Sequence, residues 1–220
     1  MFTALLERLP SRLVASLRFP WIIFHAIAIV LTALLVLSGT DWAFFLATRG
    51  ATWAWLVFGA GIGGFFVPVL APLALYLWGE ARSRSALQHI ALLIAQAEGI
   101  AWLVSSTYKA FTGRIQPEFL TTLGTTDISH AFQFGFLKHG IFWGWPSSHA
   151  AVAFAGAFML VFLARSRLLA AAAIAWAVFV ALGAAIGFHW LSDALAGALI
   201  GYAIARSIAA DVARSDLRPY

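Results

Sequence analysis

The chain has 220 residues, 62% of them hydrophobic and only 10% charged, with a mean hydropathy of +0.89. Soluble proteins average about 45–50% apolar and about 25% charged residues, so an ordinary soluble domain is excluded. A net charge of +5 suggests nucleic acid only until the basic residues are located; they sort by membrane side, and with no cysteine present there is no disulfide framework or thiolate chemistry.

Residues 1–20 place Leu5, Leu6, Leu9, Leu13 and Leu17 at near-helical spacing with arginines between them. This predicts an amphipathic segment on the cytoplasmic membrane surface, with Pro10 as a kink or break; a frayed basic tail is the alternative. Six apolar stretches follow, at 21–39, 53–78, 87–108, 149–164, 168–188 and 190–205. A membrane-crossing helix needs about 20 apolar residues, and the fourth stretch is short of that, so its bounds are the least fixed by the sequence. In lipid the backbone is satisfied only within helices or closed barrels, and these stretches lack the alternation of barrel strands. The prediction is an all-α, six-transmembrane-helix bundle forming a single integral membrane domain over 1–220. No small-residue cleavage site follows the first stretch, which is therefore read as a retained helix.

Six crossings put Arg8, Arg12, Arg18, Arg82, Arg84, Arg165, Arg167, Arg206, Arg214 and Arg218 on one side. Arg49, Lys109, Arg114 and Lys138 fall on the other. The arginine-rich side is the cytoplasmic one, so both termini are expected there. The longest polar interruption, the loop 109–148, then lies outside the cytoplasm, and a loop of that length is usually functional.

Three short stretches share that outer face: KAFTGRIQP at 109–117, PSSH at 146–149 and HWLSD at 189–193. His189 and Asp193 are four apart, on one helix face, where a carboxylate can bind one imidazole nitrogen and leave the other as a nucleophile. His149 follows Pro146, Ser147 and Ser148, which have helix-start chemistry and free amides suited to phosphate. A proton donor there can serve a leaving oxygen and later activate water. Lys109 adds a point charge and Arg114 a guanidinium fork for phosphate oxygens. Blander readings stand beside these: Lys109 as a snorkelling helix end, Ser147 and Ser148 as plain caps, His189 with Asp193 as a structural pair.

In the order and spacing of these motifs the chain resembles the type 2 phosphatidic acid phosphatase (PAP2) superfamily, integral-membrane lipid phosphatases related to vanadium haloperoxidases and bacterial acid phosphatases. Its pattern is Lys, six residues, Arg-Pro; then Pro-Ser-Gly-His; then Ser-Arg, five residues, His, three residues, Asp. Lys109, Pro117, Pro146, Ser147, His149, His189 and Asp193 match it. Gln116 stands at the first arginine, Ser148 at the glycine, and Leu182 and Gly183 at the Ser-Arg pair. The resemblance implies a PAP2/haloperoxidase-like bundle in which His189 attacks phosphorus to form a phosphohistidine and Asp193 orients it. It further implies that His149 protonates the leaving alcohol and then activates water, while Lys109 and the Ser147–Ser148 backbone hold phosphate oxygens. It implies no metal and no other cofactor. The expected partners are a phosphorylated lipid and the bilayer, with no nucleic acid, and the expected place is a bacterial inner membrane with the site periplasmic. Two phosphate-binding arginines are missing, and Arg114, Gln116, Lys138, His130 or His139 are candidates to rebuild the pocket. A lipid head-group transferase resembling sphingomyelin synthases, or a degenerate lipid-binding or transport protein, is the alternative function.

Glu98, with Gln96 nearby, lies inside the third stretch, about three turns from Lys109 and on nearly the same face. It is expected to line a substrate cleft, to pair with His89 or His25, or to be a protonated, hydrogen-bonded structural group. The ten tryptophans read as an interfacial belt. Gly59, Gly61, Gly63 and Gly64 read as helix-packing positions.

Overall fold

The structure, a computed structural model, describes residues 7–117, 126–138, 140–164 and 166–214. Within them the chain is helical apart from one small sheet. Leu9–Ser16 forms α1, with Pro10 in its first turn. There proline's missing N–H costs no internal hydrogen bond, so it starts a helix after the turn at Arg8; of the expected kink or break, this is the break. Leu5 and Leu6 lie outside the described residues. Arg12 is buried, donating to Asp211 at 3.0 Å and to Gln96. The segment is thus bolted to the C-terminal helix as well as amphipathic.

The first apolar stretch forms α2 (Ile22–Leu37); α3 (Thr40–Thr48) follows just beyond it, and the two are bent by 71°. Gly39 makes the break: its φ of 72° is left-handed, a conformation that costs glycine nothing. After a single 3₁₀ turn come α4 (Ala54–Ala81) and α5 (Ser85–Phe111). Pro68 and Pro72 sit inside α4 and remove two of its internal hydrogen bonds. The loop contains an antiparallel pair, β1 (Thr112–Arg114) and β2 (Phe132–Phe134), with Gly113 opposite Gln133. Three helices complete the chain: α6 (Ser148–Leu163), α7 (Arg167–Gly187) and α8 (Leu191–Arg214).

Four of these helices are long and apolar enough to cross a membrane, or five if the bent α2–α3 pair is one span. α6, at 16 residues, is an apolar helix below that length. Several such helices are consistent with an integral membrane protein, and the sequence expectation of six crossings is met only to that extent.

Apolar side chains gain little from leaving lipid for protein, so close backbone approach does much of the packing. Gly197 and Gly201 of α8 show how. A Cβ on Gly197 would stand 2.5 Å from the Ser147 carbonyl, and one on Gly201 would strike the Ala151 carbonyl. Leu93, Ile100, Met159, Ile200 and Ile204 fill the core where α5, α6 and α8 meet. Gly183 and Gly187 repeat the device between α7 and α4, against Leu56, Val57 and Ala60. In α4, Gly63 and Gly64 are packing positions as expected, against Trp176 and against His149 with Val180.

Candidate active site

The starts of α6 and α8 meet. The Ser147 amide donates to the Asp193 carbonyl at 3.0 Å, and the Ser147 hydroxyl accepts from the Ala150 amide. This fixes His149, in the first turn of α6, relative to His189, which precedes α8. His189 Nδ1 lies 3.2 Å from Asp193 Oδ2, and the Trp190 amide donates to the same oxygen at 3.3 Å. That arrangement leaves His189 Nε2 as the free nitrogen. Burial, with the Lys109 charge adding to it, drives the His189 pKa down to about 4 against the opposing pull of Asp193. At neutral pH the ring is therefore an unprotonated base.

His149, His189, Lys109 and Ser148 line one end of a cleft of about 1070 Å³ between α4, α5 and α6. The Lys109 ammonium donates to the Phe142 carbonyl at 3.3 Å and keeps two further donors. Ser105 donates to the Ser148 hydroxyl at 2.9 Å. The Phe188 ring packs edge-on against His149, 5.0 Å between centroids. The amides of Ser148 and His149 have no partner among the described residues, so this helix start presents N–H groups to an anion. Of the two serines, Ser148 faces the cleft, while Ser147 is fully buried and acts as the cap.

Arg114 is placed differently from the sequence expectation. It is buried behind Asp193 and does not line the cleft. Its fork binds Asp193 Oδ1, Asp41 Oδ2 at 2.7 Å, Ser192 Oγ at 2.9 Å and the Ser129 carbonyl. The Phe132 and Trp190 rings cover it, the first with its centroid 4.7 Å away. Gln116 also faces away from the cleft, donating to the carbonyls of Arg114 and Gly144 at 3.4 and 3.3 Å. His130 and Lys138 are exposed and line no part of it, and His139 is outside the described residues. The polar groups that line this end of the cleft are thus Lys109, the two histidines and the start of α6.

Asp41 escaped the sequence reading. Fully buried, it accepts from the Ser192 amide at 2.8 Å and the Ser192 hydroxyl at 2.5 Å as well as from Arg114. The available signal was an acid two residues beyond Gly39, at the edge of an apolar run. Two tryptophans also leave the expected belt. Trp145 and Trp190 are buried, donating to Thr32 Oγ1 and the Ile115 carbonyl at 2.8 Å each, and so hold the loop to the bundle.

Gly183, at one missing arginine, is closed to any side chain. A Cβ there would overlap Ala60 Cβ and come within 2.7 Å of the Leu56 carbonyl. Gly183→Arg is therefore expected to destabilise the protein by at least about 1–3 kcal/mol, the cost of overpacking, without adding a phosphate ligand. Thermal unfolding in detergent checks this; an unchanged Tm with tighter phosphate binding would contradict it.

The sequence model of the PAP2 superfamily matches residues 87–216, more than half of the chain. The chain belongs to the PAP2 superfamily, which supports phosphatase-type chemistry at that level. No curated protein and no solved structure matches it.

Proposed function

We propose that this is a membrane lipid phosphatase, acting on a phosphomonoester or diphosphate of a lipid at the extracytoplasmic face. The observation that carries the reading is the joint placement of His149, His189 and Lys109 at one end of a long, mostly apolar cleft. Along α5 the cleft runs from Ala91 to Lys109, about 27 Å of helix, close to the hydrocarbon thickness of about 30 Å. A lipid tail fits such a track, with its phosphate at the cationic end. In the proposed topology the α2–α3 pair and the short α6 each make a crossing, giving six. The arginine bias supports a topology with both termini in the cytoplasm and, in a bacterial inner membrane, the histidines on the periplasmic side.

In the first step His189 Nε2 forms a bond to phosphorus as the P–O bond to the lipid breaks. His149 enters protonated, with the substrate's own negative charge as counter-ion, and gives its proton to the departing oxygen. In the second step His149, now neutral, takes a proton from water. The hydroxide oxygen bonds to phosphorus, the P–N bond breaks, and inorganic phosphate leaves. Lys109 and the Ser148 and His149 amides hold the charge that shifts among the phosphoryl oxygens.

Every step uses side chains and water, so phosphate release from detergent-dispersed lipid phosphates is expected to be unchanged by EDTA. Loss of activity on chelation, restored by a divalent ion, would overturn the metal-independent chemistry. Release only when an acceptor lipid is added would favour a phosphotransferase. Inactivity of folded protein across a panel of phosphatidic acid, polyprenyl phosphates and lipid diphosphates would favour a non-enzyme.

A further inference from the structure

Glu98 lies on the wall of the same cleft, about three turns of α5, roughly 16 Å, from Lys109. It forms no ion pair with His89 or His25; among the described residues no cation is bonded to it. Its Oε2 is buried and has no hydrogen-bond partner among the described residues. An ionisable group at such depth costs free energy, and no described residue offsets it with a bond to that oxygen. Yet the fold makes room for it. A Cβ on Gly156, across on α6, would collide with the Glu98 carboxyl, so only glycine there leaves the carboxyl its position. Beside it the cleft is open: a Cβ on Gly99 would meet nothing within 4 Å, and Ala95 on the preceding turn is also small. A carboxyl that has been given space, lacks a partner and faces an apolar track is completed by whatever occupies that track.

We propose that Glu98 is a second recognition point for the lipid, accepting a hydrogen bond from a neutral donor, a hydroxyl or amide N–H, carried on the tail about three helical turns from the phosphate. The proposal rests on the reading of the cleft as a lipid-phosphate track. It explains the placement of Glu98, because a tail with such a donor satisfies the buried oxygen and a plain hydrocarbon tail leaves it unsatisfied. Specificity then comes from two polar points along one chain: the cationic end selects the phosphate, and Glu98 selects the tail.

The test compares octadecyl phosphate with an octadecyl phosphate hydroxylated mid-chain, about 16 Å from phosphorus. Binding is measured by native mass spectrometry on the His189→Ala protein, so that it does not depend on turnover, and phosphate release is measured on the wild type. The hydroxylated lipid is expected to bind roughly tenfold more tightly. Glu98→Leu is expected to bind the two equally while still releasing phosphate from plain octadecyl phosphate, which also shows that it folds. Glu98→Gln, which keeps an acceptor oxygen, is expected to retain the preference. Equal binding of the two lipids, or a preference that survives in Glu98→Leu, overturns the proposal. A preference in binding without phosphate release from either lipid leaves the Glu98 site standing and overturns the phosphatase reading instead.

Discussion

His189→Ala is expected to lower phosphate release by about four to six orders of magnitude, the range for loss of a catalytic nucleophile, while the thermal unfolding transition stays nearly in place. The two halves of that expectation have separate causes. The ring makes one side-chain hydrogen bond, to Asp193, and Asp193 keeps its other partners, Arg114 and the Trp190 amide, when it is gone. The bundle therefore survives. The chemistry does not, because nothing else at that end of the cleft replaces Nε2. The Lys109 ammonium has no lone pair, and His149 is required in the opposite role, as proton donor. A second measurement bears on the state of the nucleophile. With its pKa lowered to about 4, His189 is neutral above that value and becomes protonated, losing its lone pair, only as the pH falls through it. A ¹⁵N titration of histidine-labelled protein, with His189→Ala identifying the signal, is expected to show protonation well below the ordinary value of about 6.5. A midpoint at the ordinary value would remove the buried, Lys109-facing environment from the account.

Much of this was legible in the sequence because the membrane restricts what a chain can do. Apolar length gave the helices, and the spacing of His189 and Asp193 gave a pair that the structure closes at 3.2 Å. PSSH gave a helix start, and Ser147 does cap it. The unread parts are those decided by tertiary contact. Gln116 and Gly183 read as holes in a phosphate clamp. In the fold, Gly183 is where α7 touches α4 and Gln116 ties two loop segments together. Arg114 has the right chemistry for phosphate oxygens, and its neighbours in sequence do not reveal that two carboxylates claim it first. One of these, Asp41, comes from a helix created by the break at Gly39, a bend that hydropathy alone does not register. Arg12 escaped for the same reason: its partner Asp211 is almost the whole chain away.

Arg114→Ala separates the two possible uses of that guanidinium. A phosphate ligand at the cleft wall can be removed with a rise in KM and an unchanged Tm. The observed Arg114 is instead, among the described residues, the one cation bonded to both Asp41 and Asp193, and all three side chains are fully buried. Breaking a buried ion pair by deleting one partner costs about 3–5 kcal/mol, because the remaining charge is left without compensation. Here two carboxylates are left, Asp41 still accepting from Ser192 and Asp193 from the Trp190 amide. Arg114→Ala is therefore expected to lose at least that much stability, read as a large drop in Tm in detergent, and to lose activity with it. Asp41→Asn is expected to be milder, since Arg114 then keeps a one-to-one pairing with Asp193 and the amide still accepts from Ser192. The double variant Arg114→Ala with Asp41→Asn is expected to recover part of the loss, giving a coupling energy of about 0.5–3 kcal/mol in a double-mutant cycle. Additivity, or an Arg114→Ala protein with native Tm and a raised KM, would return Arg114 to the phosphate. The geometry argues the other way: the arginine this chain retains beside its motif is bonded to the carboxylate that holds His189, and in the proposed mechanism the substrate's charge is left to Lys109 and the first turn of α6.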